Sequence, residues 1–176
     1  MISNAVSDIG KVRNKNEDSY FIPGGSDPYK LYIVADGMGG HNAGELASQI
    51  AIEYVCTHIA EHMPQIQSSQ KMMRTVSSSI QEANKRVFAL SKKEVRYSGM
   101  GTTLTMAVFE KNRFYVAHIG DSRCYLIRSN GLIRQITKDH SLVQELVDNG
   151  SITRDEMDIH PKKNVITRAL GTDNRL

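Results

Sequence analysis

Three short clusters of side chains carry the chemistry this sequence can do. The first is Arg13, Glu17 and Asp18 in Gly-Lys-Val-Arg-Asn-Lys-Asn-Glu-Asp, just ahead of the apolar run Tyr20-Phe21-Ile22. Neighbouring residues of a strand point to opposite faces, so Glu17 and Asp18 cannot both face one site directly. One acid can ligate a cation, itself or through water, while the other meets solvent; a solvated charged loop explains the pair equally well. The second cluster is Asp36-Gly-Met-Gly-Gly40, at the end of an apolar strand. A carboxylate leaving such a strand is costly unless paired or ligating a cation. The glycines let backbone carbonyls approach a ligand, and oxygen-only donors suit Mg or Mn rather than zinc. The plainer reading is a strand-to-helix turn. The third is His118-Ile-Gly-Asp-Ser-Arg123, which places Asp121 either in a hairpin turn or at a sheet end near Asp36. Gly101-Thr-Thr103 leads another strand, and its hydroxyls can brace ligands from behind.

Other reactive patterns are missing. His41, His58, His62, His118, His140 and His160 form no HxH or HExxH motif and read as surface residues. No Ser or Cys stands in a GxSxG elbow, and no GxxxxGKS loop is present.

The elements that must position these clusters follow from periodicity. Lys30 to Ala35 reads as a buried strand, preceded across the Pro23 to Pro28 turn by another. Gly44 to Met63 and Ser68 to Lys92 repeat apolar residues at helical spacing. Thr102 to Phe109, Arg113 to Ile119 and Arg123 to Arg128 read as an antiparallel meander, with a further strand in Gly131 to Thr137. His140 to Asn149 reads as a short helix closed by Gly150, with one turn near Asp155 to Met157 and a strand beginning in Asn164 to Leu170. Strands, two long helices, then strands make an α+β layered protein rather than an alternating βαβ chain.

Composition bounds the class. A chain of 176 residues holds one core, and 40% hydrophobic with 23% charged residues is globular composition. Lys and Arg total 22 against 19 acids, and the net charge of +3 is too small and dispersed to indicate nucleic acid. No apolar run is long enough for a membrane span or a signal peptide core, so a cytoplasmic protein is expected. Cys56 and Cys124 read as buried free thiols.

Five stretches, in order, resemble the PPM family of type 2C metal-dependent serine/threonine protein phosphatases, above all its bacterial single-domain members. They are Ser7-Asp-Ile-Gly-Lys-Val-Arg-Asn-Lys-Asn-Glu-Asp18, Val34-Ala-Asp-Gly-Met-Gly-Gly40, Ser98-Gly-Met-Gly-Thr-Thr103, His118-Ile-Gly-Asp-Ser-Arg123 and Val165-Ile-Thr-Arg-Ala-Leu-Gly171. The resemblance implies a four-layer α-β-β-α sandwich of antiparallel sheets flanked by helices, with two Mn2+ or Mg2+ ions in a cleft at the sheet ends. It implies that Asp36 bridges both metals, that Gly37 offers its carbonyl to one, and that Glu17 and Asp18 hold metal-bound waters. Arg13 then receives the substrate phosphate, and Asp121 ligates a third, weaker metal. Phosphoserine and phosphothreonine in proteins would be hydrolysed by a metal-activated water, opposing a bacterial Ser/Thr kinase. Residues 138–164 fall where the family has its flap.

The family normally continues past the Thr-Arg-Ala-Leu-Gly stretch with two more segments, each bearing a metal-binding aspartate. This sequence stops at Leu176, and Asp173-Asn174 follows Gly171 too closely to serve. The expectation is a C-terminally truncated PPM domain, its sandwich incomplete and its metal site two carboxylates short, a monomer if complete. A function of another class is then a catalytically silent phosphoprotein-binding or regulatory module; a third is hydrolysis of small phosphate esters.

Overall fold

The computed structural model describes residues 2–25, 30–39 and 43–176. Strands β1 (Asp18–Phe21) and β2 (Lys30–Met38) come first, followed by helices α1 (Ala43–His62) and α2 (Ser69–Ser91). Next are β3 (Gly101–Thr102), β4 (Leu104–Glu110), β5 (Arg113–Ile119), β6 (Tyr125–Ile127) and β7 (Ile133–Gln135). Two short helices close the chain, α3 (Leu142–Asp148) and α4 (Arg154–Met157). The Pro23 to Pro28 turn lies partly outside the described residues, as do Gly40 and His41.

One antiparallel sheet has the order β1-β2-β4-β5, with β3 also paired to β2. Along β2, Leu31, Ile33 and Ala35 are buried while Tyr32, Val34 and Asp36 lie on the other face. The buried face meets α1 and α2 through Ala47, Ala51, Val55, Ile59, Met72, Val76, Ala83 and Val87, and β4 adds Leu104, Met106 and Val108. This β2 is therefore half-buried rather than covered on both faces. It also runs on through Asp36 and Gly37 to Met38, because β3 pairs with its end.

Two expected strand pairings differ. The β5 strand pairs with β4, but β6 pairs with β7 in a separate two-stranded sheet instead of continuing the meander. Gly120 adopts φ +102° and the chain leaves the first sheet there, held by Thr105 Oγ1 donating to the Ser122 carbonyl at 2.7 Å. Residues 164–170 form no strand; Leu170 and Ile166 make single bridges to Thr102 and Ser141. The expected four layers appear as a helical layer, the large sheet and a two-stranded second sheet. A cleft of about 320 Å3 separates the outer face of β2 and β4 from Cys124 and Tyr125. Tyr20 and Val34 on that face remain 49% and 47% exposed, which leaves part of it uncovered.

The end of the chain is tied to α2 by one buried side chain. Asn84, 1% exposed, accepts from Gly171 N at 2.8 Å and donates to the Asp173 carbonyl at 2.9 Å. Replacing it with alanine strands the buried Gly171 N–H and frees the Asp173 carbonyl, which lies in an exposed residue. Asn84→Ala is expected to cost about 2–4 kcal/mol, read as a lowered urea midpoint. Both cysteines are thiols and partly exposed, not fully buried.

Candidate active site

The antiparallel register of β1 on β2 sets Asp18 opposite Asp36. Cross-strand partners share a face, so both carboxyls stand on the outer side of the sheet, away from the helices. They lie within hydrogen-bonding reach of each other. Burial, then the Asp18 charge and hydrogen bond, push the Asp36 carboxyl from 3.8 up to about 6; the Arg13 guanidinium pulls it down and Asp121 pushes it up. Arg13, Asp18, Asp36 and Asp121, from three separated stretches of sequence, therefore form one electrostatic neighbourhood. A cleft of about 350 Å3 opens there, lined by Asp18, Asp36, Ser122 and residues 4–7.

Glu17 is placed differently from Asp18, as strand alternation requires. Its side chain lies against Gly44 in the first turn of α1, where a Cβ would sit 2.8 Å from its carboxylate. Its carbonyl accepts from Gly37 N at 3.2 Å and from Ser48 Oγ at 2.7 Å, so one peptide joins the N-terminal segment, β2 and α1. Gly37 follows Asp36 on β2 and is buried.

The Asp36 peptide is gripped from both sides. Its N–H donates to Thr103 Oγ1 at 2.9 Å, and its carbonyl accepts from Thr103 N at 2.9 Å and Thr102 Oγ1 at 3.0 Å. Thr103 Oγ1 also meets Ser122 Oγ at 2.7 Å. The Gly-Thr-Thr stretch thus braces the acid as expected. Ser48, Thr105 and Ser122 were not singled out by sequence; a buried hydroxyl on a strand or helix has no spacing signature of its own.

Asp121 sits in the bend after β5, and Arg123 of the same bend turns away to Asp139 with a shortest contact of 2.7 Å. His118 and His140 stack with ring centroids 4.7 Å apart, and His58 and His62 stack at 4.2 Å; all four are half-buried rather than surface residues. A larger cleft of about 570 Å3 lies between α2 and β5, lined by no acidic side chain.

Among the described residues, no three His, Cys, Asp or Glu side chains are arranged to hold a metal ion. The donors do fit part of such a site. They are all oxygens, and the Asp36 carboxyl is pushed upward first by burial and then by repulsion from the facing Asp18, which disfavours its charged form. A hard divalent cation relieves that repulsion.

A family model described as protein phosphatase 2C matches residues 11–167. The serine/threonine phosphatase stp of Listeria welshimeri is 38% identical over 170 residues, 97% of this chain and 67% of that protein. The solved serine/threonine phosphatase PstP/Ppp of Mycobacterium tuberculosis superposes with a TM-score of 0.81 at 41% identity, over 96% of this chain and 67% of that one. A PstP catalytic domain in complex with two manganese ions gives a TM-score of 0.77 at 39% identity, over 95% of this chain and 65% of that one. The chain spans about two thirds of the length of these relatives. With the match running through every cluster that builds the cleft, the chain belongs to the protein phosphatase 2C family of phosphoprotein phosphatases.

Proposed function

We propose that this chain hydrolyses phosphoserine and phosphothreonine in proteins with the help of divalent cations, Mn2+ or Mg2+, held at the Asp36 cleft. The observation that carries this is the facing pair Asp18 and Asp36 in one cleft, with the charges of Arg13 and Asp121 acting on Asp36. Asp36 and the Gly37 carbonyl would hold two cations, Glu17 and Asp18 would act through waters, and Asp121 would hold a third. Bound cations supply positive charge and an activated water.

The chain's own residues do the rest. Arg13 is exposed beside the acids, and its planar fork suits two oxygens of a phosphoryl group. It binds and orients the phosphate and offsets charge that grows on the non-bridging oxygens. Thr102 and Thr103 hold the Asp36 peptide in place on β2. Residues 138–164 act as a flap that influences substrate choice. In this reading the substrates are made by a Ser/Thr kinase, and the protein is cytoplasmic and, if complete, a monomer.

The test is hydrolysis of a phosphothreonine peptide with and without Mn2+. Mn2+-dependent turnover is expected, and Arg13→Ala is expected to lower kcat/KM about 10- to 100-fold. Folded protein that binds the peptide without turnover would favour a silent phosphoprotein-binding module. Equal rates on the peptide and on a small aryl phosphate would favour a small-ester hydrolase.

A further inference from the structure

Thr103 touches both neighbours of Asp121. On one side, Gly120 packs so closely that a Cβ there would lie 2.5 Å from Thr103 Cγ2. On the other, the Ser122 hydroxyl meets Thr103 Oγ1 at 2.7 Å. The Ser122 carbonyl is fixed as well, by Thr105 Oγ1 at 2.7 Å. The same Thr103 oxygen accepts the Asp36 N–H at 2.9 Å. Thr103 itself lies between β3 and β4 and is 1% exposed. One buried hydroxyl therefore contacts the backbone of Asp36 on β2 and the loop that carries Asp121 beyond β5.

Packing alone does not require this arrangement. Valine at position 103 would fill the same volume but leave the Asp36 N–H without its acceptor and the Ser122 hydroxyl without this partner. Two hydroxyls placed within 2.7 Å of each other transmit position: moving the Asp121 loop moves Thr103, and with it the peptide of Asp36. A hydrogen bond between neutral hydroxyls is directional and short-ranged, so it fixes spacing without adding charge to a cleft already crowded with it.

We infer that the Thr103–Ser122 hydroxyl contact is a positioning pair that sets the separation of Asp36 and Asp121 and thereby the chain's affinity for a divalent cation. The inference rests on the metal-dependent reading above. Neither residue touches the reacting atoms; both act through the acids.

The experiment titrates Mn2+ into the 176-residue chain and reads free Mn2+ by electron paramagnetic resonance, with urea melts in EDTA alongside. Ser122→Ala is expected to weaken Mn2+ binding about 10-fold or more while shifting the urea midpoint little. Thr103→Val should weaken binding by a similar factor, and Thr103→Ser should restore it. The Thr103→Val/Ser122→Ala double variant should lose no more than the worse single change, because the two act as one unit. Unchanged Mn2+ affinity in folded Ser122→Ala, with Asp36→Asn failing to bind, overturns the positioning pair and leaves the metal reading standing. Additive losses in the double variant overturn the pair as a unit. If the unsubstituted chain binds no Mn2+, or if Asp36→Asn binds it normally, the metal reading falls and takes this inference with it.

Discussion

Asp36→Asn is expected to remove Mn2+-dependent hydrolysis of a phosphothreonine peptide. The loss should be on the order of 1000-fold or more in kcat/KM, since each decade corresponds to about 1.4 kcal/mol and a cation contributes several. An opposite change in stability should accompany it. In the fold the Asp36 carboxyl is raised from 3.8 to about 6, first by burial and then by Asp18. Above that pH the folded chain carries an ionised group that the unfolded chain holds more comfortably, so the native acid is a destabilising residue in EDTA. Its neutral isostere should melt a few degrees higher at pH 7.5. That advantage should shrink as pH falls from about 6 towards 3.8 and vanish only below 3.8, where both states of the native acid become neutral. Melting curves in EDTA at several pH values check it. An asparagine variant less stable than the parent at pH 7.5 would show that the acids are compensated within the chain.

The largest loss of stability is expected from Gly37→Ala. A Cβ at Gly37 would lie 2.1 Å from the Gly44 carbonyl oxygen and 2.5 Å from the Glu17 carbonyl oxygen. Both obstacles are backbone, one in α1 and one in the segment entering β1, so no side chain can swing aside. Strand and helix must separate, and the Gly37 N–H bond to Glu17 goes with them. The cost should reach about 3 kcal/mol or more, a large share of a domain's total. Gly10→Ala makes a useful contrast. Nothing lies within 4 Å of its Cβ position, and only its φ of +73° opposes a side chain. Its expected cost is about 1–2 kcal/mol. Urea midpoints of the two variants separate close packing from backbone strain.

Much of this arrangement was legible in the residues. The helices α1 and α2 follow their 3.6-residue spacing, and β2, β4 and β5 fall where β-branched runs predict them. Strand alternation also foretold that Glu17 and Asp18 would part. What local pattern could not show is partnership. Tyr125–Ile127 has the texture of a meander strand, yet it joins Ile133–Gln135, because Thr105 and Thr103 capture Ser122 and turn the chain out of the sheet. Residues 164–170 are apolar enough for a strand but make only single bridges. The supporting hydroxyls of Ser48, Thr105 and Ser122 are invisible for a related reason. Each matters through a residue 17 to 31 positions away, and sequence spacing speaks only for close neighbours.

The Thr103 hydroxyl has a consequence for the order of assembly. Asp18 and Asp36 come from β1 and β2, and Asp121 from the bend after β5, with two helices between them in the chain. Closing so long a loop is entropically slow and follows local structure formation. Helices and hairpins can form early without a competent cleft, because the Asp36–Thr103–Ser122 connection needs both sides of the sheet in register. A growing chain can therefore pair Asp18 with Asp36 early, but it holds Asp121 away from them until β4 and β5 close the sheet.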